Sequence, residues 1–209
     1  MNSDREQILN RLSRRAIVPD LPAGWSSRRR FEDLAGRFEH ALQAARGEVY
    51  RVGSLEQAAG KIASIFEQAG VERVVCNREP VVVEIGVSLV RSGFELTFPG
   101  EAVDFRSACA GAQAGLTAAV AGLVETGTLV LHGGPGCSRL VSLLPAIHIA
   151  VLASSQFTGD LFTWTSRRAG KMPAATTLIS GPSKTADIEQ TMTIGMHGPK
   201  RLIVILIEE

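Results

Sequence analysis

The sequence predicts an α/β fold in which a mainly parallel sheet carries helices on both faces. Its second half contains four runs of strand length, each apolar on both faces as buried parallel strands are. Segments with helical periodicity separate several of these runs, and such alternation is typical of a parallel sheet. The predicted strands are 128–131, 147–152, 176–179 and 202–207, and the predicted helices between them are 138–144 and 160–168.

The first half alternates in the same way. The predicted order is helix 31–45, strand 49–52, helix 55–70, strand 73–76, helix 81–90 and strand 94–98. The segment 81–90 mixes strand-like alternation with the length of a helix, and we interpret it as a helix. Gly70 ends the preceding helix, as glycine commonly does.

The length of 209 residues suits one compact domain with a short appendage. We assign residues 1–30 to an N-terminal helical arm and linker, and residues 31–209 to the α/β domain. In the arm, Ser3 or Asp4 can cap a short helix that carries apolar residues on one face, and Pro19 and Pro22 then end it.

Composition excludes several classes of protein. A net charge of +1 does not build the positive field that nucleic-acid binding uses. Cys76, Cys109 and Cys137 are far apart and form no CxxC pair, and the histidines form no HxxxH pair, so we predict no metal in this chain. Free thiols, a charged N-terminus and the absence of a long apolar stretch predict a cytoplasmic protein that does not enter a membrane.

The first segment that could carry chemistry surrounds the strand 128–131. Glycines let a backbone approach an anion closely, and a helix starting near Ser138 would offer free amide groups. An ordinary tight turn is the alternative, because glycine clusters also mark turns. The candidate ligand-binding residues here are Thr126, Gly127, Thr128, Gly133, Gly134, Gly136 and Arg139.

Glu125 precedes this loop and follows a run of small residues that must pack closely. Burial would raise its pKa and allow it to act as a general base or a nucleophile. The alternative is a carboxylate that accepts backbone hydrogen bonds at a turn.

The second segment follows the predicted strand 176–179 directly. In open parallel sheets, ligands bind beyond the carboxyl ends of the strands, so these polar residues are candidates. A helix capped by Ser183 or Thr185 is the structural alternative. The candidate ligand-binding residues are Gly181, Pro182, Ser183, Lys184, Thr185 and Asp187.

The third segment is the turn 195–199. His197 lies there between glycines and is the candidate catalytic histidine. His148 alternates with isoleucines, a pattern that favours a hydrogen-bonded histidine in the core.

Three motifs together resemble the lactate-utilization (LUD) domain family, close to its lactate utilization protein C branch. They are LVETGTLVL at 123–131, SRLVSLLPAIHI at 138–149, and GPSKTADIEQ at 181–190 followed by GMHGPKRL at 195–202. The resemblance extends weakly through the N-terminal arm and so covers essentially the whole chain.

This resemblance implies a fold like that of ribose-phosphate isomerases, glucosamine-phosphate deaminases and coenzyme A transferases. It also implies that the loops 125–136 and 181–187 form one pocket for a small anionic ligand. In related systems the type C protein acts with two iron–sulfur proteins. Since this chain lacks cluster cysteines, the resemblance implies that iron–sulfur clusters reside in those partners and that this chain holds no cofactor.

Two functions follow from these observations. The first is a component of a system that oxidises L-lactate to pyruvate, in which Glu125 or His197 takes a proton and Arg139 or Lys184 holds the carboxylate. The second is a free-standing isomerase or coenzyme A transferase that uses Glu125. Relatives commonly carry an acidic residue where this chain has Val120, which leaves a non-catalytic regulatory subunit as a further alternative.

Overall fold

The structure is a computed structural model that describes residues 2–14, 29–167, 173–186, 192–194 and 198–208. The described part of the chain contains seven α-helices and twelve strands. The helices are α1 (Asn2–Arg14), α2 (Leu34–Ala44), α3 (Leu55–Ala69), α4 (Pro80–Arg91), α5 (Phe105–Gly111), α6 (Leu140–Leu143) and α7 (Leu161–Ser166). The strands are β1 (Glu48–Val52), β2 (Arg73–Cys76), β3 (Glu95–Thr97), β4 (Ala114–Ala118), β5 (Ala121–Leu123), β6 (Thr128–Gly133), β7 (Ile147–Ala153), β8 (Phe157–Thr158), β9 (Ala175–Ile179), β10 (Lys184–Ala186), β11 (Met192–Ile194) and β12 (Arg201–Ile207).

The main sheet has six strands in the order β1-β12-β7-β4-β2-β3, and every pairing in it is parallel. Its central strands β7 and β12 are almost continuously apolar and buried, as expected for a sheet covered on both faces. The predicted α/β class with a parallel sheet is therefore confirmed.

Helices cover the two faces of this sheet. On one face, α3 and α4 bury Ile62, Phe66, Ile85 and Leu89 against the sheet. On the other face, Phe38 and Leu42 of α2 pack against a second core cluster. Local signals explain where these helices begin and end, because Ser54 accepts a hydrogen bond from the Gln57 amide at 3.2 Å and Gly70 takes a left-handed conformation.

Two predicted strands belong elsewhere. Strands β6 and β9 form a separate four-stranded sheet with the order β8-β5-β6-β9, in which β6 is antiparallel to both of its neighbours. The physical reason is the short connection 124–127 between β5 and β6, since a parallel pairing requires a much longer crossover. The sequence pattern also did not predict α5, β4 or β5 as separate elements.

Two predicted helices also differ. The predicted helix 138–144 is only the four residues of α6. The alternative of a capped helix starting near Ser183 is wrong for the described residues, because Lys184–Ala186 pair with Met192–Ile194 as antiparallel strands. By contrast, the ambiguous segment 81–90 lies within α4, whose N-terminus is preorganised by Pro80.

The N-terminal arm contains a helix, α1, with Ile8, Leu9 and Leu12 exposed. Pro19 and Pro22, which we predicted to end it, lie outside the described residues. No helix in the described ranges is long and apolar enough to cross a membrane.

Candidate functional site

The first and second candidate segments meet at one end of the second sheet. The hydroxyl of Thr128 lies 2.6 Å from the hydroxyl of Ser180, and 2.6 Å from the hydroxyl of Thr126 on its other side. The register of β6 against β9 explains this contact, because Leu129 is paired with Ile179. A chain of three hydroxyl groups therefore joins the two segments.

A cavity of about 260 Å³ opens beside Ser180. Its wall includes His148 and Leu202, which are the second residues of β7 and β12, so it lies at the amino edge of the main sheet. We name it the amino-edge cavity. Its polar lining includes Ser142, Thr177, Ser180 and Ser183. The cavity thus adjoins the carboxyl end of β9, as the sequence predicts for the second segment, but the amino ends of the main-sheet strands β7 and β12.

His148 is the deepest polar group of this cavity. It is fully buried, and its Nε2 lies 2.9 Å from the hydroxyl of Thr117. Burial lowers the pKa of His148 to about 3, so the imidazole is neutral at physiological pH. The prediction of a hydrogen-bonded core histidine is thus confirmed.

The sequence did not predict the environment of the second ring nitrogen of His148. Its Nδ1 has no hydrogen-bond partner among the described residues, although the side chain lines the cavity. A buried polar atom without a partner is costly, by about 1–3 kcal/mol. The side chain thus lies in the wall of the cavity, with an unsatisfied nitrogen that has almost no exposed surface.

Glu125 is not the buried carboxylate that we expected. Its side chain is 29% exposed and forms an ion pair with Arg29. Its backbone amide donates a hydrogen bond to the carbonyl of Gly159 at 2.9 Å. The carboxylate is therefore paired and partly solvated, not buried.

Two of the candidate glycines are required by packing. A Cβ on Gly127 would lie 2.3 Å from the backbone nitrogen of Leu42, and one on Gly181 would lie 2.6 Å from the carbonyl oxygen of Ala45. Both glycines also have positive φ angles, 63° and 109°. These positions let the two loops approach the end of α2, which accounts for the glycines without a ligand.

The remaining glycines of the first segment lie at the far end of β6. Gly134 and Cys137 exchange two backbone hydrogen bonds of 3.0 Å, which makes a tight turn. Arg139 is exposed at this end, where a Cβ built on Gly133 would lie 3.5 Å from its Cγ. Because β6 spans roughly 17 Å, the described parts of loops 125–136 and 181–187 do not form one continuous pocket. The amide of Ser138, which the sequence predicts to be free for an anion, instead donates to Asn77 Oδ1 at 2.9 Å.

A second group of polar residues, which the sequence analysis missed, lies at the carboxyl edge. Glu79 follows β2, and its Oε1 accepts a hydrogen bond of 3.3 Å from Asn77. Its Oε2 is buried and has no hydrogen-bond partner of good geometry among the described residues. Burial raises the pKa of Glu79, although Asn77 and the Cys137 thiol oppose that shift.

A cavity of about 450 Å³ lies near this carboxylate, lined in part by Val81 and Ala118. The signal in the sequence was the polar tripeptide 77–79 directly after an apolar strand.

Within the described ranges, no group of three or more histidine, cysteine, aspartate or glutamate side chains is arranged to hold a metal ion. Burial also raises the pKa of Cys76, Cys109 and Cys137, which disfavours the thiolates that metals bind.

Comparison with known proteins decides the family. Residues 35–207 match the model of the LUD domain. The chain belongs to the LUD domain family. It is 33% identical over 168 residues to a protein of Halalkalibacterium halodurans named lactate utilization protein C, an alignment that covers 76% of this chain and 71% of that relative. A protein of the same name from Exiguobacterium is 36% identical over 104 residues, which cover 47% of this chain and 45% of the relative.

A solved structure supports the fold of this LUD domain. The crystal structure of a DUF162 family protein from Deinococcus radiodurans superimposes with a TM-score of 0.57 at 22% sequence identity. The superposition covers 83% of this chain and 96% of that one. The likeness to isomerases, deaminases and coenzyme A transferases stays a prediction.

The LUD domain thus brings together only part of the predicted site. Gly181 and Ser183 line the amino-edge cavity, where Ser183 donates its backbone amide to Pro199 at 2.9 Å. Pro182 is buried and Lys184 is exposed beside them. The side chain of Thr185, and all of Asp187 and His197, lie outside what the structure describes.

Proposed function

We propose that this LUD domain acts in lactate utilization, as a component of a system that oxidises L-lactate to pyruvate together with two iron–sulfur partner proteins. The names of its relatives support a role in lactate utilization. The observation that supports the site is the amino-edge cavity, whose hydroxyl-rich lining also includes the neutral, buried His148.

The amino-edge cavity suits a small hydroxy acid. Its volume of about 260 Å³ accommodates a molecule of lactate size, and its lining is rich in hydroxyl groups. The serine and threonine hydroxyls of the lining can exchange hydrogen bonds with the hydroxyl of the ligand. Lys184 follows Ser183 directly and is our candidate for the cation that holds the carboxylate, in preference to Arg139 at the other end of β6.

Oxidation of lactate removes two electrons and two protons. The O–H bond and the Cα–H bond of the ligand both break. We propose that this chain binds the ligand and moves the hydroxyl proton, while the partners would take the Cα hydrogen as a hydride equivalent, its two electrons passing to their iron–sulfur clusters and its proton to solvent. Glu125 and His197 remain our candidates for the final proton acceptor. The hydroxyl chain Ser180–Thr128–Thr126 offers a route from the cavity towards Glu125. We expect the assembly to be cytoplasmic.

Growth tests this function. A strain that lacks this chain should fail on L-lactate as sole carbon source and grow normally on pyruvate. Wild type should restore growth, and Lys184→Ala should restore it poorly. Lys200→Ala is the matched control, because Lys200 is likewise exposed and follows the lining residue Pro199, as Lys184 follows Ser183. An equal loss of growth in both variants would contradict the specific assignment of the carboxylate to Lys184. Unimpaired growth of the deletion strain on L-lactate would refute the proposal.

Ligand binding tests the site separately. A ligand that binds only the folded state raises the apparent stability. L-lactate should therefore raise the melting temperature of the wild type, and Lys184→Ala should reduce that shift while Lys200→Ala should not. A shift of equal size in all three proteins would move the site away from the amino-edge cavity without affecting the growth result.

A further inference from the structure

Helix α4 leaves a row of valines exposed. Val83, Val87 and Val90 are 40%, 51% and 57% exposed, and their spacing places them on one stripe of the helix. The opposite face of α4 already packs against the core, because Val82, Ile85 and Leu89 are buried. The valine stripe is therefore a second apolar surface.

This stripe forms one wall of a groove with strand β3. Leu96 and Phe98 supply the other wall, and the groove encloses about 370 Å³. Gly86 keeps the floor open, since a Cβ there would lie 3.2 Å from Leu96. Strand β3 is the last strand of the main sheet, so the groove lies at the rim of the molecule.

Charged residues flank the valines in a self-complementary order. Glu84, Ser88 and Arg91 are exposed and form the stripe next to the valines. Neither Glu84 nor Arg91 forms an ion pair within the described part of the chain. In an antiparallel pair of identical helices, equivalent stripes face each other about a two-fold axis. With that axis near Val87, Glu84 of each copy faces Arg91 of the other and Val83 faces Val90.

We propose that this face binds a second copy of the chain, so that two α4 helices pack antiparallel about a two-fold axis. The charge order selects this occupant, because the same seven-residue spacing satisfies both ends of the interface at once. A parallel arrangement would place like charges at equal heights. The inference is independent of the proposed function.

The area of this surface limits the expected affinity of the dimer. Helix α4 has 12 residues and is roughly 18 Å long. Two such helices and the adjoining β3 walls bury less than the roughly 1,200–2,000 Å² of standard stable interfaces. We therefore expect a reversible dimer with a dissociation constant in the micromolar range.

Sedimentation velocity of the full chain from about 1 to 200 μM brackets that range. The wild type should shift from monomer to dimer as concentration rises, and Val87→Glu should stay monomeric. Val103→Glu is the matched control, because Val103 is fully exposed and does not line the groove. It should dimerise like the wild type. These positions are exposed, so none of the changes should impair folding, and circular dichroism checks this.

Charge reversal tests the register. Glu84→Arg and Arg91→Glu should each weaken the dimer by about tenfold, since each creates two contacts between like charges. The double variant restores both attractions and should dimerise like the wild type. A wild type that stays monomeric, a dimer that survives Val87→Glu, or a double variant weaker than either single variant would overturn the proposal.

Discussion

The Thr117 hydroxyl and His148 Nε2 lie 2.9 Å apart across two neighbouring strands of the main sheet, β4 and β7. Both side chains are fully buried, so this hydrogen bond fixes the imidazole without contact with solvent. The contact fixes the ring that forms part of the wall of the amino-edge cavity.

Thr117→Val should therefore destabilise the fold. The substitution keeps the shape of the side chain but leaves Nε2 of a buried histidine without a partner, at a cost of about 1–3 kcal/mol. Urea denaturation measures the free energy of unfolding. Thr117→Ser retains the hydroxyl and should lose less stability than the valine variant; the reverse order would show that the hydrogen bond contributes little.

His148 should remain neutral well below physiological pH. Its pKa of about 3 lies below the roughly 6.5 of an unfolded histidine, so the unfolded state binds more protons between these values. This contribution to stability is complete above about pH 6.5 and is lost as the pH falls. Nitrogen NMR of the ring from about pH 5 to 8 should show no titration, whereas urea-unfolded protein should titrate normally. A midpoint above about pH 5 in the folded protein contradicts the assignment.

The close packing of Gly127 predicts a large effect of a single methyl group. Gly127→Ala introduces a Cβ about 2.3 Å from the Leu42 backbone at a positive φ angle, and should cost roughly 2 kcal/mol or more. Gly134→Ala is the control, because a Cβ there meets nothing within 4 Å. Its stability should stay within about 0.5 kcal/mol of wild type. Equal melting temperatures for the two variants would contradict the packing role of Gly127.

The ionised carboxylate of Glu79 should destabilise the folded state at neutral pH. Burial raises its folded pKa, so its contribution to stability is greatest below the unfolded pKa and is lost as pH rises through the folded value. Glu79→Gln removes this dependence and preserves an oxygen for Asn77. The stability of the variant relative to wild type should therefore increase from about pH 4 to 8. Urea denaturation at each pH measures the difference, and a flat or falling difference refutes the buried-acid assignment.

The sequence by itself determined the α/β class, the order of most elements and the family. Apolar periodicity reports which face of a segment is buried, and this local property predicted α3, α4, β7 and β12 with nearly correct bounds. Motif order carried the family assignment, because a family signature is a property of the linear chain. The same local signals placed His148 in the core.

Only the tertiary structure decided which of the candidate polar residues lie close together. The pairing of β6 with β9 joins Thr128 to Ser180, 52 positions apart, and sends Arg139 to the other end of a strand. Apolar runs look alike in parallel and antiparallel sheets, so the sequence did not separate the two sheets. The missing hydrogen-bond partner of His148 Nδ1 and the burial of Glu79 likewise depend on neighbours from distant segments. Burial and hydrogen-bond satisfaction are properties of the packed molecule, and local sequence does not encode them.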